Sequence, residues 1–127
     1  PYDINSDTIT LNDDTYATWY LDAMEHMERY QGKQIEFLAM VMHQDDFPAG
    51  WFIPGRIAMV CCEEDVAFLG FPCRWDGEQA LQDQQWVKVT AQLQVEYWFE
   101  YEGEGPVLYA ETIERAEPAE TMVVQVR

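Results

Sequence analysis

The stretch "KQIEFLAMVMH", residues 33–43, decides the fold. Its strongly apolar residues recur at every second position: Ile35, Phe37, Ala39 and Val41 on one side, with Gln34, Glu36, Leu38, Met40 and Met42 on the other. A period of two is that of a β-strand, here with one well-buried face and a semi-apolar reverse. Immediately upstream the period is different. Tyr16, Tyr20, Met24, Met27 and Tyr30 lie three or four residues apart, joined by Trp19 and Ala23, which predicts an amphipathic helix over about 15–30. Asn12 or Asp13 can cap it, and the acids of "LNDDT" (11–15) suit the positive end of its dipole. Gly32 ends it, where a left-handed backbone costs least. His26 falls off the apolar stripe near Asp22 and Arg29 and reads as solvated. Residues 1–11, polar with Ile4, Ile9 and Leu11 interspersed, read as an extended lead-in.

Downstream, strands succeed one another. "QDDFPAG" (44–50) turns the chain through Pro48 and Gly50. "WFIPGRIAMVCC" (51–62) is a second strand, with a bulge or bend expected at Pro54-Gly55. "EED" turns again into a third strand, "VAFLGFPCRW" (66–75), in which Gly70 marks a bend. The polar connector 76–85 has room for a short helical turn. "WVKVTAQLQVEYWFEY" (86–101) alternates with Val87, Val89, Ala91, Leu93 and Val95 on one side, and "VLYAETIE" (107–114) is a fifth strand. One helix, three strands in hairpin order, a connector and two more strands is the layout of an OB-like barrel. The fold class expected is mainly β (α+β): an OB-like five-stranded Greek-key barrel preceded by an N-terminal amphipathic helix. An open α+β meander is the competing arrangement. The chain reads as a single domain, 1–127: lead-in and helix over 1–31, barrel over 32–116, and a tail over 117–127 able to add an edge strand.

Composition narrows the partners. The 127 residues are 48% hydrophobic, enough for one packed core and too apolar for a disordered chain. There are 24 Asp and Glu against 7 Lys and Arg, a net charge of −17. Such a surface repels phosphate backbones and anionic head groups, so neither nucleic acid nor direct lipid binding by this domain is expected. Cationic partners and metal ions are tolerated; solubility or adaptation to salt or acid explains the charge equally well. No apolar run approaches the roughly 20 residues of a membrane-spanning helix, and no signal peptide is visible. The opening at Pro1 fits a segment of a longer protein.

Three blocks carry a family resemblance: "GKQIEFLAMVMHQDDF" (32–47), "RIAMVCCEEDVAFLG" (56–70) and "WVKVTAQLQ" (86–94). Together they resemble the C-terminal soluble domain of the YcgQ-like bacterial membrane proteins. That family's pattern runs Gly-Lys with an alternating strand, then Arg, a strand and Cys-Cys-x-x-Asp followed by Gly, then Trp-Val-x-Val. The block 56–70 is the most specific, and the match spans about 32–114. The sequence departs from the pattern at Glu64 and Val66, where the family has Ala on either side of the Asp that stands at Asp65, and Cys73 is particular to this chain. The resemblance implies an OB-like barrel of uncharacterised biochemical function. It also implies a parent protein anchored by two N-terminal transmembrane helices beside a YcgR-type membrane permease subunit. The domain is expected on the extracytoplasmic side. It brings no activity with it.

Two candidate sites stand out. Cys61, Cys62 and Asp65 combine thiolates with a carboxylate and could take Zn(II) or another transition metal. Separated Cys-x-x-Cys knuckles are absent, and adjacent residues of a regular strand point to opposite faces. Cys62 and Asp65 face each other across the "EED" turn. Cys73 and His43 should be remote, and Lys33 should lie across the sheet from Cys61. A redox role needs a lowered thiol pKa, which Arg56 or Lys33 favours and three adjacent acids oppose. The competing reading is structural: one cysteine packs as a small hydrophobe while the Asp65 side chain caps the turn. The second candidate is Arg56, a charge among apolar residues. It reads either as a partly buried ion pair or as an anchor for a partner's carboxylate. "EYWFEY" (96–101) is ringed by acids, which favours core packing or a protein interface over base stacking. With no phosphate loop, His-Glu-x-x-His or Gly-x-Ser-x-Gly, an enzyme is not expected. The function expected is a non-catalytic binding domain of a membrane-anchored, permease-associated protein; the alternative is a transition-metal-binding domain.

Overall fold

The computed structural model describes residues 2–126. A short strand, β1 (Thr8–Thr10), leads into helix α1 (Tyr16–Glu25) and a 3-10 turn at Met27–Tyr30. The strands β2 (Gln34–Met42), β3 (Trp51–Met59), β4 (Val66–Gly70), β5 (Cys73–Arg74), β6 (Trp86–Trp98), β7 (Gly103–Arg115) and β8 (Val123–Gln125) follow.

The pairing closes a barrel. β2 pairs antiparallel with β3 and with β6, and β6 pairs antiparallel with β7. β3 pairs antiparallel with both β4 and β5, and β5 returns parallel to β7. β4 and β5 keep one register against β3 (Met59↔Val66, Gly55↔Gly70, Phe52↔Cys73), so they are two halves of one strand interrupted at Phe71-Pro72. The circuit is therefore five-stranded, with the OB order and the parallel closure between its third and fifth strands. The expected barrel, its strand order and its single helix are all present.

Several local expectations are corrected. Pro54-Gly55 does not break register; the irregularity lies between Thr90 and Ala91 of β6, against β7. The two glycines face each other because the strands approach closely there. A Cβ on Gly55 would lie 2.5 Å from the Leu69 carbonyl, and one on Gly70 would lie 2.7 Å from that of Pro54. The helix is shorter than its apolar stripe, and Met24 is exposed while Tyr16, Ala17, Trp19 and Ala23 are buried. The 76–85 connector holds a turn at 83–84 and no helix. The lead-in is a strand: β1 runs parallel to β2 and buries Ile9. The tail behaves as expected, β8 lying parallel to β3 at Ile57↔Val123.

Local chemistry explains the helix start. The Asn12 Oδ1 accepts from the Asp14 and Thr15 amides, while the Thr15 hydroxyl oxygen accepts from the Asn12 amide at 2.9 Å; these bonds close the turn ahead of the helix, and the N-cap residue, Thr15, makes no side-chain cap bond of its own. Gly32 takes φ +79° beyond the 3-10 turn, where a side chain would be strained. The helix lays its aromatic face on the barrel interior. Trp19 packs edge-on to Phe71 at 5.3 Å and against Phe37 at 5.8 Å, and the Tyr16 hydroxyl donates to the Leu69 carbonyl at 2.8 Å. Ile35, Phe37, Ala39 and Val41 of β2, with Val87, Val89, Ala91 and Leu93 of β6, fill the rest. Among the described residues no helix is long and apolar enough to cross a membrane.

Candidate functional site

Strand alternation sorts β3 into two faces. Phe52, Ala58 and Arg56 point inward and are buried, while Trp51, Ile53, Ile57 and Met59 point outward. Arg56 is 1% exposed. Its Nη1 donates to Asp13 Oδ1 at 2.9 Å and its Nη2 to the Thr121 carbonyl at 2.7 Å. The guanidinium also lies 5.3 Å from the Trp86 ring, and its Nε has no partner. Its carboxylate thus comes from the same chain. The arginine ties the loop before α1 and the segment before β8 to the middle of β3, with no face left for a partner.

The cysteine motif is not assembled. Cys61, Cys62 and Asp65 are all exposed at the β3–β4 turn, and Cys73 is buried. That turn is closed by backbone: the Asp65 amide donates to the Cys62 carbonyl at 2.8 Å and the Val60 amide to the Asp65 carbonyl at 3.1 Å. Among the described residues the Asp65 side chain makes no hydrogen bond that contributes to it. Among the described residues no group of three or more His, Cys, Asp or Glu side chains is placed to hold a metal ion. Cys73, paired with Phe52, is seven ladder positions from Val66, about 23 Å at about 3.3 Å per residue. Burial pushes its thiol pKa up, which removes it from thiolate chemistry at neutral pH. Lys33 is not opposite Cys61, because β3 leaves β2 after Gly55 and takes β8 as its neighbour instead. His43 is remote as expected; its ring Nδ1 pairs with Asp83 at 2.7 Å and holds that carboxyl below its usual range.

What the sequence did not disclose is an aromatic cluster on the outer surface at one end of the barrel. Trp51 packs on Trp98 at 4.7 Å and on Tyr109 at 5.8 Å. Phe47 meets Trp98 at 5.1 Å and Phe99 at 6.0 Å. Trp98 is only 6% exposed, although it belongs to the face opposite the buried valines of β6. The Tyr109 hydroxyl is bonded to Glu96, and burial with that bond raises its pKa to about 12. Phe47 comes from the β2–β3 loop and Phe99 from the β6–β7 turn, the two loops with which OB barrels hold ligands. Phe99, 38% exposed, presents aromatic surface to solvent beside them, while Tyr97, 65% exposed, follows the alternation of β6 to the face opposite Trp98. Next to the cluster a cleft of about 430 Å³ opens between the β2–β3 loop and the connector after β5. Phe47, Trp51, Phe52 and Trp75 line it, with His43, Gln44, Glu78 and Gln79 as its polar groups. "EYWFEY" thus divides: Trp98 is packed and Tyr97 and Phe99 are presented. Aromatic residues at the start of β3 and the end of β6 were the available signal. Their convergence depends on register, which the sequence did not supply.

One chain of the S. pombe Stn1-ten1 complex is similar at 9% identity, over 91% of this chain and 81% of that one, with a TM-score of 0.49. No curated protein matches. The family model of the DUF1980 C-terminal domain matches residues 2–124, which includes the helix, the whole barrel and the start of β8. The chain belongs to the DUF1980 C-terminal domain family.

Proposed function

We propose that this chain is a non-catalytic binding domain whose working face is the aromatic end formed by the β2–β3 loop and the β6–β7 turn. The observation that carries the reading is the placement of Phe99, exposed, on a packed base of Trp98 and Phe47 that is backed by Trp51. Solvent-facing aromatics on a rigid base are the anchors that interfaces favour. Glu96, Glu100, Glu102 and Glu104 surround them, and the −17 charge opposes any phosphate-bearing partner. Absence of a catalytic motif supports binding over turnover. The domain serves as part of a membrane-anchored accessory protein and docks on a permease subunit, as the YcgQ-like resemblance implies, and we place it on the extracytoplasmic side.

The test is co-purification in detergent of the membrane-embedded parent protein with the permease subunit. Replacing Phe99 by Ala should cost about fivefold or more in recovered complex, since such an anchor is worth at least about 1 kcal/mol, while Tyr97→Ala, on the other face of the strand, should cost less. Undiminished complex with Phe99→Ala would refute the assigned face. Robust turnover of a substrate by the purified domain would refute the non-catalytic reading.

A further inference from the structure

We propose that the cleft between the 43–50 loop and the 75–81 connector binds a small organic cation, a primary ammonium or guanidinium carried on an apolar stem. The proposal rests on the reading of the chain as a binding domain and adds the class of ligand. The cleft's volume, about 430 Å³, is at the small end of ligand clefts, which run about 300–1,000 Å³.

Its walls are aromatic and held in place. Trp51 and Phe47 are backed by Trp98, and the Trp75 indole N–H donates to the Gln79 carbonyl at 3.2 Å. Rings fixed before a ligand arrives lose little entropy on binding it. Their faces carry the negative lobe of the ring quadrupole and attract ammonium and guanidinium groups.

Charge decides between ligands that aromatic walls would otherwise accept alike. Glu78 is the acid on the lining, and among the described residues it has no ion-pair or hydrogen-bond partner. The basic side chains close by are already engaged: Arg74 with Asp76 at 2.7 Å, and the His43 ring with Asp83 at 2.7 Å. Asp45 and Asp46 are exposed on the same loop and add to the field of a chain at −17. An anion is repelled, and a neutral sugar gains nothing from Glu78 or the field. A cation on an apolar stem uses the rings, the acid and the potential together.

The test titrates agmatine into the domain at physiological salt, read by calorimetry and by backbone amide shifts. One saturable site is expected, with shifts confined to 43–52 and 75–81. Glu78→Gln, an exposed position that leaves the fold intact, should weaken binding about three- to tenfold. Glu28→Gln, on the 3-10 turn after α1, should leave it unchanged. Shifts spread over the acidic surface, equal weakening by the two variants, no saturable binding at millimolar agmatine, or preferential binding of maltose would each overturn the proposal. None of these outcomes bears on co-purification with the permease, so the two readings fail separately.

Discussion

The Asp13–Arg56 pair makes an unequal prediction for its two halves. The Arg56 side chain is 1% exposed and that of Asp13 is 34% exposed. Removing the acid leaves a guanidinium in the barrel wall with one remaining acceptor, the Thr121 carbonyl, and the Trp86 face. A buried charge that loses its partner usually costs about 3–5 kcal/mol. Here a void of about 10 Å³, lined by Asp13, Tyr16 and Arg56, is close to the size of one water. It allows partial hydration once the carboxylate is gone. Asp13→Ala should therefore cost about 2–3 kcal/mol. Removing the base instead leaves Asp13, which reaches solvent. Arg56→Met keeps most of the stem's volume, loses the Thr121 hydrogen bond, worth about 1 kcal/mol, and relieves the desolvation of the guanidinium. Its net cost should be within about 1 kcal/mol, and the double variant should recover most of the loss seen with Asp13→Ala. Urea unfolding at neutral pH, followed by tryptophan fluorescence, reads all three values provided the transition is two-state. If Arg56→Met costs as much as Asp13→Ala, the desolvation argument is wrong, and the arginine is held by packing or by Thr121 instead.

Three further outcomes follow from the geometry. Gly55→Ala and Gly70→Ala should each destabilise by about 2 kcal/mol or more, because the new methyl meets backbone at 2.5 and 2.7 Å, and urea midpoints check this. Cys61 and Cys62 should react with a thiol reagent in the native state and Cys73 only on unfolding, while Cys62→Ser and Asp65→Ala stay within about 0.5 kcal/mol of the parent. Zinc should leave the unfolding midpoint unmoved; a rise abolished by Cys62→Ser would restore the motif as a metal site. Tyr109, raised to about 12 chiefly by burial and then by its bond to Glu96, favours folding in its neutral form. Its contribution is full below the unfolded tyrosine value of about 10 and is lost as pH rises from there through about 12. Absorbance of tyrosinate across that window, with Tyr109→Phe lacking one late step, is the readout.

What the sequence determined by itself is the element order and which residues are inward. The change of period at Lys33, the alternation of β2 and β6 and the turn residues at 44–50 and 63–65 depend only on near neighbours along the chain, so they are legible in it. Those strands and their inward faces appear where the periodicity put them, and the order of strands around the connector was enough to expect an OB barrel. The sequence also marked Arg56 as needing a carboxylate, since a charge on an apolar strand must be paired. It could not say that Asp13, 43 residues away, supplies it. The Cys-Cys-x-x-Asp block was equally visible and equally undecided; only the turn geometry shows its side chains pointing to solvent around a backbone-closed loop. The aromatic end was decided by tertiary structure alone. Phe47, Trp51, Trp98, Phe99 and Tyr109 belong to four separate segments, and a slip of one residue in any pairing would turn a ring to the other face. Register is fixed by the closure of the whole barrel, a sum over every strand pair, so no local stretch of sequence contains it.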